Sequence, residues 1–324
     1  MCAKKSFAEV AIITRTKNRN LLLERALKSV LAQTDKNYIH VVLNDGGDEK
    51  ALKKLLDKYP DTRRILISNK KSVGWTPALN QAIRAVGSTF IMILDDDDSF
   101  APQRIEVATK YMKQSKAIAA VHVTDRVIEK ISNNTIVHMS TNRWLEGVNS
   151  ISLYKQCLDN YMTNGCITYR RSLFDELGGY DESLPVAEDW DFGLRTLLKY
   201  DVDFIETNEP LSFYHHRPEQ TGIDGNSVFA DQSLHKHSLM LLRNKYLRDD
   251  IAKGKIGVGY IMNNLAYLRE RDELAQRNDQ AQIVRLESHM NYVGDELKCE
   301  IHQASYKQSI KNILHRVVHR TARK

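Results

Sequence analysis

The sequence predicts an α/β fold whose mostly parallel sheet is covered by helices on both faces, and three observations predict it. Short apolar runs alternate with segments of helical periodicity over about the first 220 residues. The runs are apolar almost throughout, as strands buried on both faces are. Their carboxyl ends open into polar loops near Thr14, Asp45, Asn69 and Asp95, and open α/β sheets gather ligands at that edge.

The elements follow in order. Val10 to Ile13 is a first strand, followed by a polar loop and a helix whose stripe is Leu22, Leu23, Ala26, Leu27, Val30 and Leu31, with Asn20 as its cap. Ile39 to Leu43 is a second strand, ending at the turn Asn44-Asp45-Gly46-Gly47, and Leu52, Leu55, Leu56 and Tyr59 mark a second helix. Arg64 to Ile67 is a third strand. Thr76 caps a helix with Pro77 at its first position, and Gly87 ends it. The fourth strand is Phe90 to Leu94. A helix through Ile105, Ala108 and Met112 follows, then a strand over Ile118 to Val123. The segment 132–150 has weak periodicity and reads as an irregular excursion. Asn164 to Tyr169 is a strand entered through a turn, Arg171 to Leu177 a short helix, and a further helix runs through Leu194, Leu197 and Leu198. Phe204-Ile205 and Leu211 to Tyr214 are closing strands. From about Leu234 helical spacing dominates, so a helical region over 221–324 is expected to follow a domain over 1–220.

Composition excludes several classes. With 42% hydrophobic and 27% charged residues, the 324-residue chain is an ordinary globular sequence. It has no apolar run near the ~20 residues that span a bilayer, and Met1 to Lys5 lacks a signal-peptide core, so a cytoplasmic location is expected. Cys2, Cys157, Cys166 and Cys299 have neither metal-site nor disulfide-framework spacing and are expected to be reduced thiols. The net charge of +6 equals the excess carried by Lys307, Lys311, Arg316, Arg320, Arg323 and Lys324, which no acid interrupts. The rest is near neutral, which argues against a nucleic-acid face.

Two acidic stretches carry the chemistry. Asp95 to Asp98 end a buried strand, and four adjacent carboxylates repel unless a cation sits among them; Mg²⁺ or Mn²⁺ holding phosphate oxygens suits oxygen ligands of this kind. A solvated acidic turn is the competing reading. Glu188 and Asp189 open a helix, where free amides and the dipole favour the anion and keep it ready to accept a proton; both are equally good helix-start residues. His215 and His216 at a strand end could ligate metal or meet phosphate.

Six pieces occur together in order: Val10 to Arg19, Asn44-Asp45-Gly46, Gly74-Trp75-Thr76-Pro77-Ala78-Leu79-Asn80, Ile93 to Asp98, Leu177 to Glu182, and Glu188-Asp189-Trp190-Asp191. In these the chain resembles the GT-A fold glycosyltransferases of family 2, the inverting nucleotide-sugar enzymes, over about its first two thirds. The resemblance implies a GT-A catalytic domain over 1–220, with a nucleotide-sugar half to about 115 and an acceptor half over 116–220. It implies that Thr14 and Arg19 border the nucleotide and Asp45 accepts from the base. Asp95 and Asp97 match the D-x-D pair, the first near the ribose and the second holding Mn²⁺ or Mg²⁺. Asn69, Gly74, Asn80 and Asp96 fall in the same loops and matching pieces and are expected to complete the nucleotide site. Asp189 matches the general base, and His216, or His215 in its place, matches a histidine on the metal or diphosphate. Asn164, Gly165, Glu188 and Trp190 would lie on the acceptor side. Two departures stand out: Leu79 replaces a frequent arginine, and Asn44-Asp45-Gly46-Gly47 replaces the usual Asp-Asp-Gly-Ser turn, keeping Asp45 but changing its flanks.

The resemblance implies a nucleotide-sugar donor, UDP-linked as the first expectation, and a glycan or lipid-linked glycan acceptor, in bacterial surface polysaccharide synthesis. A nucleotidyltransferase would need a glycine-rich phosphate loop, and Thr14 to Asn20 has no glycine. A metal-binding signalling domain would have no use for Glu188-Asp189. Ile283, Leu286, Met290, Val293 and Leu297 have the spacing of a short helical seam expected to dock on the protein. Lys307 to Lys324 reads as an amphipathic basic helix that either packs on the protein or meets an anionic inner-membrane surface, leaving the enzyme peripheral there.

Overall fold

The computed structural model describes residues 8–144, 150–226 and 232–277, with Gln280, Arg285 and Ser288. Its centre is a seven-stranded sheet, in which β1 (Val10–Thr16), β2 (Tyr38–Asp45), β3 (Arg64–Asn69) and β4 (Phe90–Ile93) run parallel in the order β4-β1-β2-β3. Beyond β4, the order continues through β9 (Ile167–Arg170), β6 (Ala119–His122) and β10 (Asp203–Ile205). β9 is antiparallel to both its neighbours. Because Thr16 pairs with Asn44 and Asp45 with Asn69, the ends of the parallel strands lie along one edge, where the sequence placed its polar loops.

Each face of the sheet is sealed. On one, α1 (Asn20–Leu31), α2 (Glu49–Lys58) and α4 (Arg104–Ser115) bring Leu23, Leu27, Leu52, Ile105 and Met112 onto Val10, Ile12, Val42 and Met92. On the other, α3 (Trp75–Arg84), α6 (Arg171–Glu176) and α7 (Glu188–Leu197) supply Ala82, Ile83, Phe174 and Phe192 against Ile13, Val41 and Ile91. Each such Val, Leu, Ile, Met or Phe side chain contributes roughly 1.5–3 kcal/mol by burial. Cys157, on the short helix α5 (Leu153–Leu158), and Cys166 are buried free thiols.

Three local expectations change. The first helix is capped by Arg19, whose carbonyl accepts from Leu22 and Leu23, and not by the Asn20 side chain. Helix α3 starts one residue before Thr76, capped by Gly74 at φ 100°, a backbone angle that glycine adopts without strain. The Thr76 hydroxyl is spent on the Leu184 carbonyl. And 132–150 is not irregular throughout: β7 (Thr124–Ser132) and β8 (Thr135–Trp144) form a hairpin turned by Asn133 and Asn134, both at positive φ. It belongs to a second, four-stranded sheet with β5 (Ser99–Phe100) and β11 (Ser212–His216), in the order β5-β11-β7-β8.

The chain divides into two compact units, Met1–Asn263 and Asn264–Lys324. The first unit includes α8 (Gln232–Ala252), where Lys245 bridges Asp181 and Asp191 at 2.6 Å each, and the Tyr246 hydroxyl also reaches Asp191. In the second unit, residues 264–277 are helical. The seam over Ile283 to Leu297 and the basic tail from Lys307 lie outside the described residues.

Candidate active site

A cleft of about 430 Å³ opens where the parallel strands end, and Arg19, Trp75, Asp95, Asp97, Glu188 and Asp189 all line it. β4 delivers the acids. Asp96 accepts from the Thr16 hydroxyl and from Arg19, both at 2.7 Å; burial pushes its carboxyl up to about 6 against the pull of Arg19. Burial acts on Asp97 too, but Arg19 and Arg217 meet at its Oδ2 and hold it below the usual carboxylate range. Asp98 accepts from the His215 amide at 2.8 Å, and burial with the neighbouring Asp97 raises it well above that range. Asp95 faces the cleft and is also raised well above it, by burial and then by Asp98, Asp97, Glu188 and Asp189.

Beneath this cluster lies Glu129, at a bulge in β7, accepting from Arg25 at 2.7 Å, Arg217 at 2.8 Å and His215 at 2.9 Å. These partners outweigh burial and hold it at about 2. Arg217 is fully buried, and its Nε also donates to the Asp224 carbonyl. Sequence spacing gave no sign of Glu129, Arg25 or Arg217, because the three arrive from separate elements.

Across the cleft Glu188 and Asp189 begin α7, behind Ala187 at φ 68°, a left-handed backbone that is strained for alanine. Glu188 accepts from the Trp75 indole at 2.7 Å and the Asn164 amide at 3.1 Å. Burial, then Asp189, push it up to about 8. Asp189 accepts from the backbone N–H of Trp190 at 2.8 Å and, at 3.4 Å, of Asn164; burial raises it as well. Two adjacent buried acids so raised hold a proton between them near neutrality and can take another from a bound hydroxyl.

Asp45, at the end of β2 and not among the residues lining the cleft, accepts from Ser72 at 2.6 Å, the Val73 amide and Arg15 at 2.9 Å, and Asn69 at 3.3 Å. These bonds keep its carboxylate near 2 against burial. Arg15 also lies over the Trp75 ring, 4.9 Å from its centroid. Gly46, at φ 76°, lets the turn press on the Lys71-Ser72 backbone, where an added Cβ would sit 2.4 Å from the Ser72 nitrogen.

The structure thus brings Arg19, Asp95, Asp97, Asn164, Gly165, Glu188, Asp189, Trp190 and His216 to one cleft. Between the two histidines, His216 lines the cleft, whereas His215 is taken up by Ser99, Glu129 and Asp98. Of the expected nucleotide contacts Arg19 and Asp95 line this cleft, Asp45, Asn69, Gly74 and Asp96 do not, and the side chains of two more are turned elsewhere. The buried Thr14 hydroxyl meets His40, because Thr14 sits two residues short of the strand end that Thr16 occupies. Asn80 is fully buried and bonded to Tyr180 and Glu182.

Among the described residues no group of three or more His, Cys, Asp or Glu side chains is arranged around a metal position. A divalent cation that keeps phosphate oxygens needs only one or two protein ligands. The site fits that requirement: its carboxylates outnumber the guanidiniums facing them, and burial of His216, then Arg126 and Arg217, bring its imidazole down to about 4, leaving it a neutral ligand. No helix among the described residues is long and apolar enough to cross a membrane.

Comparisons with known proteins bear on this geometry. Residues 11–178 match the family model of glycosyl transferase family 2. An uncharacterized glycosyltransferase of Bacillus subtilis (strain 168), YwdF, is 27% identical over 277 residues, 85% of this chain and 95% of that protein. Another, from Haemophilus influenzae, is 22% identical over 240 residues, 74% of this chain and 77% of its own. Among solved structures, S. aureus TarS 1–349 in complex with UDP-GlcNAc is similar with a TM-score of 0.55 at 14% identity, over 74% of this chain and 66% of that one. That likeness is one of fold, the GT-A arrangement of sheet and helices.

Proposed function

The chain belongs to glycosyl transferase family 2, and we propose that it is an inverting enzyme moving a sugar from a nucleoside-diphosphate donor, UDP-linked first, to a hydroxyl of a glycan or lipid-linked glycan. The observation that carries this reading is the single cleft lined by both Asp95-Asp97 and Glu188-Asp189. In the proposed division, residues to about 115 hold the donor and residues from 116 the acceptor. Asp45 takes the base and Asp95 lies by the ribose, while Arg19 meets the diphosphate.

In the reaction the acceptor hydroxyl gives its proton to Asp189 as its oxygen attacks the anomeric carbon. The bond from that carbon to the diphosphate oxygen breaks, and its electron pair leaves with the nucleotide. One base with no protein nucleophile gives a single displacement and inverts the anomeric centre. Burial raises both acids, Glu188 to about 8, and Asp189 is the member of the pair proposed to take the acceptor's proton. Asn164 and the first-turn amides hold both acids in place. Asp97 and His216 would hold Mn²⁺ or Mg²⁺, which when bound supplies positive charge to the departing diphosphate.

The basic tail supports a peripheral position on an anionic inner-membrane surface, next to a lipid-linked acceptor of surface polysaccharide synthesis. Co-sedimentation with anionic vesicles, comparing the full chain with one cut at Gln303, tests that part. Calorimetry with UDP, GDP and dTDP in Mn²⁺ tests the whole: UDP is expected to bind most tightly, and no binding by any of the three overturns the assignment.

A further inference from the structure

Three tryptophans occur in the chain, and all three line the cleft. Trp75 donates its indole N–H to Glu188, and Trp190 donates its own to the Gln156 carbonyl at 2.5 Å. Trp144 differs: its Nε1 is buried and has no hydrogen-bond partner among the described residues. A buried indole N–H with nothing to bond costs free energy unless a bound molecule brings the acceptor, since indole nitrogen can only donate.

The surroundings of Trp144 define that molecule. Trp144 is the last residue of β8 and pairs with Thr124, whose hydroxyl lies 2.9 Å from that of Ser212; both hydroxyls belong to residues of the cleft wall. The Trp144 ring stands edge-on to Tyr214 at 5.7 Å, and Tyr214 packs on His216 at 5.3 Å. Arg126 covers Trp144 at 5.1 Å. The Tyr214 ring, beside hydroxyls and one unpartnered N–H, matches a ring with an apolar C–H face and a polar edge. A hexopyranose has that form.

We propose that the β7–β8 hairpin and β11 build a hexopyranose subsite, in which Trp144 Nε1 donates to a sugar oxygen and the Tyr214 ring takes the C–H face. The subsite lines the same cleft as Asp189 and rests on the transferase reading in one respect: it would receive the acceptor sugar. Trp144 and Tyr214 are then specificity-determining residues that touch the acceptor.

Saturation-transfer NMR on the full chain, with methyl glycosides of glucose, galactose, mannose and N-acetylglucosamine at millimolar concentration, tests it without requiring turnover. At least one glycoside is expected to show transfer to its ring protons, and Trp144→Phe, which keeps an aromatic ring and deletes the N–H, is expected to weaken that glycoside at least tenfold. Trp144→Ala is the second variant, and circular dichroism reports whether each is folded. No signal from any glycoside on the wild-type chain, or equal affinity in folded Trp144→Phe, overturns the subsite. UDP affinity of the wild-type chain, measured in parallel, reports separately on the transferase reading, so a glycoside signal lost in Trp144→Phe supports the subsite even where UDP fails to bind.

Discussion

Trp75 Nε1 lies 2.7 Å from Glu188 Oε1, so the first turn of α3 holds the acid that precedes Asp189. Because burial and Asp189 put the Glu188 carboxyl at about 8 against an ordinary 4.5, its folded-state pKa is raised. A raised pKa contributes stability that is complete below pH 4.5 and lost as pH rises through 8. Glu188→Gln, which mimics the protonated acid, should remove this dependence. Urea midpoints of both proteins at pH 5 and pH 9 check it: wild type should lose stability relative to the variant on going up, and an unchanged difference would show that Glu188 does not titrate there.

Asp189→Asn removes the proton acceptor and keeps the shape of the side chain. Transfer should fall by about 10²–10⁴-fold, the usual worth of a general base. Donor affinity by calorimetry should stay near the wild-type value. Near-normal turnover would remove Asp189 from its role.

The acids were legible in sequence because they are contiguous: Asp95 to Asp98 end one strand, and Glu188-Asp189 start one helix. Their counter-charges were not. Arg217 reaches Asp97 across 120 positions and Glu129 across 88, a convergence no local pattern encodes. The β7–β8 hairpin had a signal, Asn133-Asn134, since asparagine tolerates the positive φ that a two-residue turn demands. Its strands concealed it, because β8 is largely exposed and carries no apolar alternation. Thr14 lies on the strand rather than at its end, a depth along the sheet that strand periodicity does not give.

Arg217 offers a stability test. Its removal would strand Asp97 and Glu129 as buried carboxylates short of a partner, and breaking a buried pair in this way costs about 3–5 kcal/mol. Arg217→Lys should recover little, because three guanidinium nitrogens are used on Asp97, Glu129 and the Asp224 carbonyl. Equal urea midpoints for wild type and Arg217→Ala would contradict this.

Removing metal should separate two roles of Asp97. Activity is expected to vanish with chelator and return with Mn²⁺ or Mg²⁺. Asp97→Ala should weaken donor binding in Mn²⁺ more than in its absence. Full activity in chelator would leave the Arg19 and Arg217 pairs as the whole function of this carboxylate.

Asn80 separates the structural reading from the one that family resemblance implies. Its Oδ1 accepts from the Tyr180 amide at 2.9 Å, while its Nδ2 donates to the Tyr180 carbonyl at 2.9 Å and to Glu182 at 2.8 Å. The side chain is fully buried and holds the turn that leads toward α7. Asn80→Ala therefore leaves buried Tyr180 backbone groups unpaired, a loss of about 1–3 kcal/mol each. A lower urea midpoint with unchanged UDP affinity is the expected pair of results. An unchanged midpoint with weakened UDP affinity would return Asn80 to the nucleotide site.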